Sequence, residues 1–270
     1  MKKYTQADFD SFEVDEYGHK ICPAGDYTAI ESFGELCSFG EQCSFGAVCS
    51  FGERCSFGAG CRFGELCSFG EGCRFGAECS FVAVCSFGAG CRFGELCSFG
   101  EECRFGAECS FVAVCSFSAW CRFVAVCSFG EWCRFGEECR FGAECRFGAV
   151  CSFGERCRFG AVCSFGELCS FGEECRFGEE CSFGEWCRYE NGAVKNGRYV
   201  AVDRIGRENR KAYFYIDDNG NMFVRAGCWF SDMAAFKERV KKVHAGTIHE
   251  KTYLAACDLA ELMLKGGNEE

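Results

Sequence analysis

The sequence predicts an all-β solenoid followed by a small α+β module, and three observations carry that prediction. From Phe33 to Arg188 a hexad, Cys-Ser/Arg-Phe-Gly-Glu/Ala-x, repeats without insertion or deletion, with Phe at every sixth position through Phe183 and Cys at every sixth from Cys37 to Cys187. Period six is neither helical nor a plain two-residue alternation, so each unit holds a short strand and a corner, and repeated corners wind the chain into a coil. The only proline, Pro23, precedes the repeat, as expected of a parallel ladder in which every backbone donor is needed.

Residues 1–32 read as an N-terminal cap. Ile21, Tyr27 and Phe33 keep the inward register while Gly25 and Glu31 occupy the Cys slot, and a strand pair is expected around Phe12-Glu13-Val14 and Lys20-Ile21 across the Glu16-Tyr17-Gly18 turn. In residues 33–188, strand alternation within x-Cys-Ser-Phe-Gly sends Cys and Phe inward and x, Ser/Arg and Gly outward. Burying each Phe contributes about 1.5–3 kcal/mol, enough in sum to oppose the conformational entropy of ordering the coil. Val82, Val112 and Val124 stand in the Gly slot, so this corner is expected to keep negative φ, with glycine there for packing.

Residues 189–270 form the separate α+β module. Arg198 to Val202, Lys211 to Ile216 and Met222 to Ala226 read as strands, the last two joined through Asp217-Asp218-Asn219-Gly220-Asn221. Ser231 or Asp232 caps a helix with Met233, Phe236, Val240 and Val243 on one face, and Thr247-Ile248-His249-Glu250 is a capping box for a second helix ending near Gly266.

Written from its aromatic residue, the unit reads Phe-Gly-Glu-x-Cys-Ser and resembles the left-handed parallel β-helix of the hexapeptide-repeat family. The resemblance implies three hexads per triangular coil of 18 residues and almost nine coils, a prism roughly 40 Å long at one strand spacing per coil. Phe and Cys stand where that family usually places smaller aliphatic and small residues. The C-terminal module resembles uncharacterised phage and mobile-element proteins of gut bacteria, with no activity attached to the likeness.

Cysteine usage points inward. There are 29 cysteines, yet nearly all share one buried slot and the Met1-Lys2-Lys3 start is no signal peptide, so they read as reduced, small apolar residues in a cytoplasmic protein. A zinc site wants clustered thiolates, which even Cys-x5-Cys spacing does not offer. In the tail, Cys228, His244, His249 and Cys257 have ligand chemistry without a zinc spacing, and no metal or cofactor is expected. Lys237, Arg239, Lys241 and Lys242, with Arg204, Arg207, Arg210 and Lys211, read as a solvated polar face rather than a phosphate site.

Charge and surface pattern bound the function. Residues 1–32 carry 3 basic and 7 acidic side chains, residues 33–188 carry 13 and 21, and residues 189–270 carry 13 and 12. The acidic prism makes nucleic acid an unfavourable partner, and no apolar run approaches a membrane span. On the outside, Trp120/Arg122, Trp132/Arg134 and Trp186/Arg188 invite cation–π pairs, and Glu102/Arg104, Glu138/Arg140 and Glu174/Arg176 fall at offsets that stack into one arginine ladder with Arg122 and Arg158. Residues 64–87 and 94–117 differ only at Gly72 against Glu102, and their 30-residue offset puts the copies on different faces, which suits growth by hexad copying. Val112, Val114, Trp120, Val124, Val126 and Trp132 form an apolar girdle near the middle, the expected site of self-association or of a protein partner.

Three classes of function follow. The first is a non-enzymatic rigid scaffold that binds a protein or another copy of itself, in a phage or mobile-element setting. The second is an acidic DNA mimic that blocks a nucleic-acid-binding protein, diluted by the 13 basic residues of the repeat. The third, a hexapeptide-type acyltransferase, lacks support, because the repeat contains no His and no loop extruded from a coil. No catalytic residue is expected.

Overall fold

In the computed structural model the described chain is residues 1–270 without residues 173, 179–180, 185–186, 190–191, 195–198, 206–209, 217–219, 227–228 and 266–270. The repeat is a three-sided parallel β-solenoid. Each hexad supplies a two-residue Ser/Arg-Phe strand, and each strand pairs with the one 18 residues on, for example Ser80 with Ser98 and Phe81 with Phe99. Successive hexads therefore visit three sheets in turn. Sheet I runs from Lys20–Cys22 to Ser182–Phe183, sheet II from Ser44–Phe45 to Cys187–Tyr189, and sheet III from Ser32–Phe33 to Arg176–Phe177. The chain passes I to II to III and back to I, so the expected triangular coil is realised.

Backbone pairing uses three amides per hexad. Arg62 donates to the Cys43 carbonyl at 2.8 Å and Gly64 to Phe45 at 3.2 Å, both toward the preceding coil, whereas Gly60 donates forward to Ala77 at 2.8 Å. Inside, the rings form three columns. Phe93 stacks on Phe75 and Phe111 at 4.8 and 4.7 Å and meets Phe87 and Phe99 edge-on at 5.1 Å. Offset stacking within a column and T-shaped contact between columns are both favourable ring geometries, and this arrangement runs from Tyr27 to Phe183.

The corners hold the main departure from expectation. Every described non-glycine residue in the x slot from Leu36 to Glu174 is left-handed, with φ between 54° and 62°. The strand alternation therefore stops at Cys, and x lies on the corner itself. The Gly slot keeps negative φ as expected, and its glycine answers a close approach: a Cβ at Gly94 would sit 2.6 Å from the Ala77 nitrogen of the preceding coil. Where Val82, Val112 or Val124 fills the slot, its carbonyl occupies the place a Cβ would take at Gly100, Gly130 or Gly142 in the next coil.

The N-terminal cap differs in register. Lys20–Cys22 joins sheet I with Cys22 opposite Phe39, so Cys22 is buried and Ile21 faces solvent, one residue out of the expected phase. The slip is absorbed before Tyr27, which stacks on Phe45 at 5.5 Å. A helix, α1 (Gln6–Asp10), capped by Thr5, precedes it and lays Phe9 edge-on against Phe33. The expected hairpin is reduced to a single bridge, Val14 to Lys20.

After the solenoid, Tyr199–Ile205, Arg210–Ile216, Met222–Ala226 and Trp229–Asp232 form a four-stranded antiparallel sheet. Helix α2 (Met233–Val243) starts at Asp232, whose carboxylate accepts from Ala235, and buries Met233, Phe236 and Val240. Val243, expected on the same face, is the last residue of the helix and is exposed. Helix α3 (Ile248–Lys265) buries Ala256, Cys257, Ala260 and Leu264, and Gly246 donates to the Glu250 carboxylate at its start. Among the described residues no helix is long and apolar enough to cross a membrane.

Candidate interaction surface

The interior offers no open chemistry. From Cys37 to Cys175 every Cys of the repeat is buried and free of disulfides, and most of the thiols donate to backbone: Cys55 to Gly34 and Cys97 to Gly76, at 3.3 and 3.4 Å, each 21 residues back. The glycine slot one coil down supplies this acceptor, through Ser118 in the case of Cys139. Where Val82, Val112 or Val124 fills that slot its carbonyl is turned toward the next coil, and Cys103, Cys133 and Cys145 make no such bond. Hydrogen bonding to the Cys61 thiol and then burial hold the Cys43 thiol well above the ordinary thiol range.

Function is therefore sought on the outside, where the coil sorts side chains into columns at one strand spacing, about 4.8 Å. The six girdle residues do not form one patch. Val112, Val114 and Trp132 lie on the I–II corner, Trp120 on the II–III corner, and Val124 and Val126 on the III–I corner. The structure instead aligns Val114 and Trp132 with three side chains outside the girdle. Leu96, Val114, Trp132, Val150 and Leu168 occupy the same corner slot in five consecutive coils, four of them exposed and Val150 half-buried. The residue before each is in turn Glu95, Ala113, Glu131, Ala149 and Glu167. The result is an apolar ridge about 19 Å long with an acid beside every second member. Writing the repeat in rows of three hexads would have exposed this column; reading it by hexads hid it.

A second feature was expected and is present. On sheet III, Arg104, Arg122, Arg140, Arg158 and Arg176 pair in register as one exposed ladder. None of the five makes an ion pair with a described residue; the acids beside them are engaged by Arg156, which reaches Glu174 at 3.2 Å and Glu138 at 3.9 Å. Trp120 lies beside Arg104 and Arg122 along a shallow groove. The expected cation–π stacking of Trp120 on Arg122 and Trp132 on Arg134 does not form; each Trp sits on a left-handed corner residue and not on the strand that carries its Arg. Trp186 lies outside the described residues.

The tail constellations separate. His244 and His249 sit with ring centres 6.0 Å apart, but His244 stacks on Tyr253 and Cys257 is buried in the helix packing, while Cys228 lies outside the described residues. Lys237 is no free cation: it bridges α2 to Asp258 and Glu261 of α3 at 3.1 and 2.9 Å. The side chains of Arg204, Arg207, Arg210 and Lys211 are outside the described set.

Comparison with known families gives one match, the RNA-binding, Nab2-type zinc finger, over residues 42–64, 55–70, 61–82, 84–100, 102–118, 120–136, 138–154, 157–172 and 174–189, together just over half of the chain. No curated protein and no solved structure matches. A CCCH-type zinc site needs a histidine and deprotonated thiols. Residues 33–188 contain no His, most of their thiols donate to carbonyls, and no three ligand side chains converge among the described residues. The donor set does not fit zinc.

Proposed function

We propose, for a chain that belongs by its cysteine-periodic sequence to the RNA-binding, Nab2-type zinc finger family yet folds as a solenoid without that family's ligands, a non-enzymatic role as a rigid rod that binds another protein along one edge. The observation that carries it is the ridge Leu96, Val114, Trp132, Val150 and Leu168. Two of these, Val114 and Val150, are β-branched residues in left-handed backbone on an outer corner, where packing inside the rod gives them little return. Free, buried thiols in every coil suit a reducing, cytoplasmic setting. The likenesses of the hexad to hexapeptide repeats and of the tail to phage proteins are compatible with a phage-associated scaffold and supply no reaction.

The test is a crosslinking capture with a photoreactive residue in place of Trp132. A protein partner should be trapped by that variant, lost when Val114→Glu and Val150→Glu are added, and kept when Val126→Glu is added on another corner. Capture that ignores the ridge charges would remove the proposal.

RNA binding is the second reading, favoured by the arginine ladder with Trp120 beside it. Its weakness is electrostatic: the repeat carries 21 acidic against 13 basic side chains, and a phosphate chain along the ladder meets Glu102, Glu138 and Glu174 on the neighbouring corner. The same ladder weakens the DNA-mimic reading, because it interrupts the acidic surface.

A further inference from the structure

The five stacked arginines of sheet III pose a problem of charge. Like charges at one strand spacing repel one another, and within the chain none of the five has an ionic partner among the described residues. The countercharge is found elsewhere on the same side of the rod. Glu35, Glu53 and Glu71 occupy one slot of the III–I corner in three consecutive coils near the N-terminal end, all exposed. Flanking sheet III on the other side, the II–III corner carries the exposed column Val48, Leu66 and Val84 in the N-terminal half and Trp120 in the C-terminal half.

We propose that sheet III is the interface of an antiparallel, two-fold dimer of this protein. A two-fold axis across sheet III at the coil of Arg104 exchanges coils equally far above and below it. Glu35, Glu53 and Glu71 of one copy then lie level with Arg176, Arg158 and Arg140 of the other and Trp120 level with Val84, while Arg122 lies level with Ser86 and Arg104 meets its own copy at the axis with Glu102 on the flanking corner of each. Both sets of pairings occur twice, as an isologous interface requires. The spacing is commensurate by construction, since both columns repeat at the coil rise of about 4.8 Å; a nucleic acid or an ordinary acidic peptide has no such period. Ala107, Ala125, Ala143 and Ala161 border the ladder on its III–I side and leave long side chains room to reach across. In a triangular prism the I–II corner lies opposite sheet III, so the dimer leaves both apolar ridges outward on opposite sides. This inference does not rest on the ridge having a partner, and its test reads mass alone.

Sedimentation velocity of the full chain at low salt should give twice the chain mass, and raising the salt should shift it toward one chain. Arg140→Glu with Arg158→Glu should halve the mass, and adding Glu53→Arg with Glu71→Arg in the same chain should restore the dimer, which also shows that the reversed surface still folds. A monomeric wild type at low salt overturns the proposal, as does a dimer indifferent to the first pair of changes. So does a failure of the second pair to restore the mass. Co-purifying nucleic acid that is lost with Arg140→Glu and Arg158→Glu, while the mass of the protein is unchanged, would assign the ladder to a polyanion instead.

Discussion

The thiol of Cys97 donates to the carbonyl of Gly76 at 3.4 Å, across 21 residues of sequence and one coil of the rod. The relationship explains why the small inward slot holds cysteine rather than alanine: the residue fills space among the rings and also supplies a donor. Removing a donor opposite a buried acceptor costs about 1–3 kcal/mol. Cys97→Ala should therefore lower stability by about 2 kcal/mol, whereas Cys97→Ser, which keeps a donor, should lose less. Chemical denaturation followed by circular dichroism measures both, and equal stability of the Ala variant and the wild type would falsify the role given to the thiol.

Protonated thiols also set a pH dependence. Hydrogen bonding to Cys121 pushes the Cys103 thiol up to about 12, and burial pushes Cys257 up to about 12, against an ordinary value of 9.0. An unfolded chain releases these protons near the ordinary value while the folded chain keeps them. Their contribution is therefore complete below pH 9 and declines as pH rises from there toward 12, by up to about 1.4 kcal/mol per thiol for each pH unit. Denaturation midpoints should be flat between neutral pH and the unfolded thiol range and fall steeply above it. A midpoint that rises with pH in that upper range would mean that the core holds thiolates.

Much of this was legible before any coordinates. Hexad period and the alternation of Phe and Cys point to a solenoid with both residues inward; three hexads to a coil came from the resemblance to hexapeptide repeats, and the arginine ladder followed from the 18-residue offset that it implies. The conformation of the x slot was not legible: Val48 and Trp120 are poor candidates for left-handed backbone, and only the closure of the coil forces them into it. The slip at Ile21 was hidden because Cys22 can fill an inward position equally well, and pairing with Phe39 decides between them. The girdle residues ring about one coil and share no single face, since neighbours in sequence are carried to different corners while residues 18 apart become neighbours in space.

Glycine in the repeat is a matter of clearance, which separates two otherwise identical substitutions. At Gly94 a Cβ would press on the backbone of Ala77, whereas at Gly34, in the first coil, it would meet nothing within 4 Å. Gly94→Ala should cost about 1–3 kcal/mol, in the range of overpacked interiors. Gly34→Ala should stay within about 0.5 kcal/mol of wild type, as an ordinary surface change does. Thermal unfolding of the two single variants compares them directly, and equal losses would show that the glycines serve backbone freedom instead.

Val114 and Val150 join the strain of the corner to the ridge. Each holds a β-branched side chain in left-handed backbone, at φ of 55° and 59°, where an L-residue loses about 1–2 kcal/mol relative to right-handed backbone and asparagine is tolerated better. Replacing both by Asn should raise stability by about 1 kcal/mol per site and leave the rings and thiols behind them undisturbed. The same change removes two apolar members from the middle of the ridge, so capture of a partner through position 132 should fall. A more stable rod that no longer binds is the signature of a surface kept for recognition at the expense of stability. If the double variant instead binds as before, the ridge is a by-product of hexad copying and the protein's partner must be sought on another face.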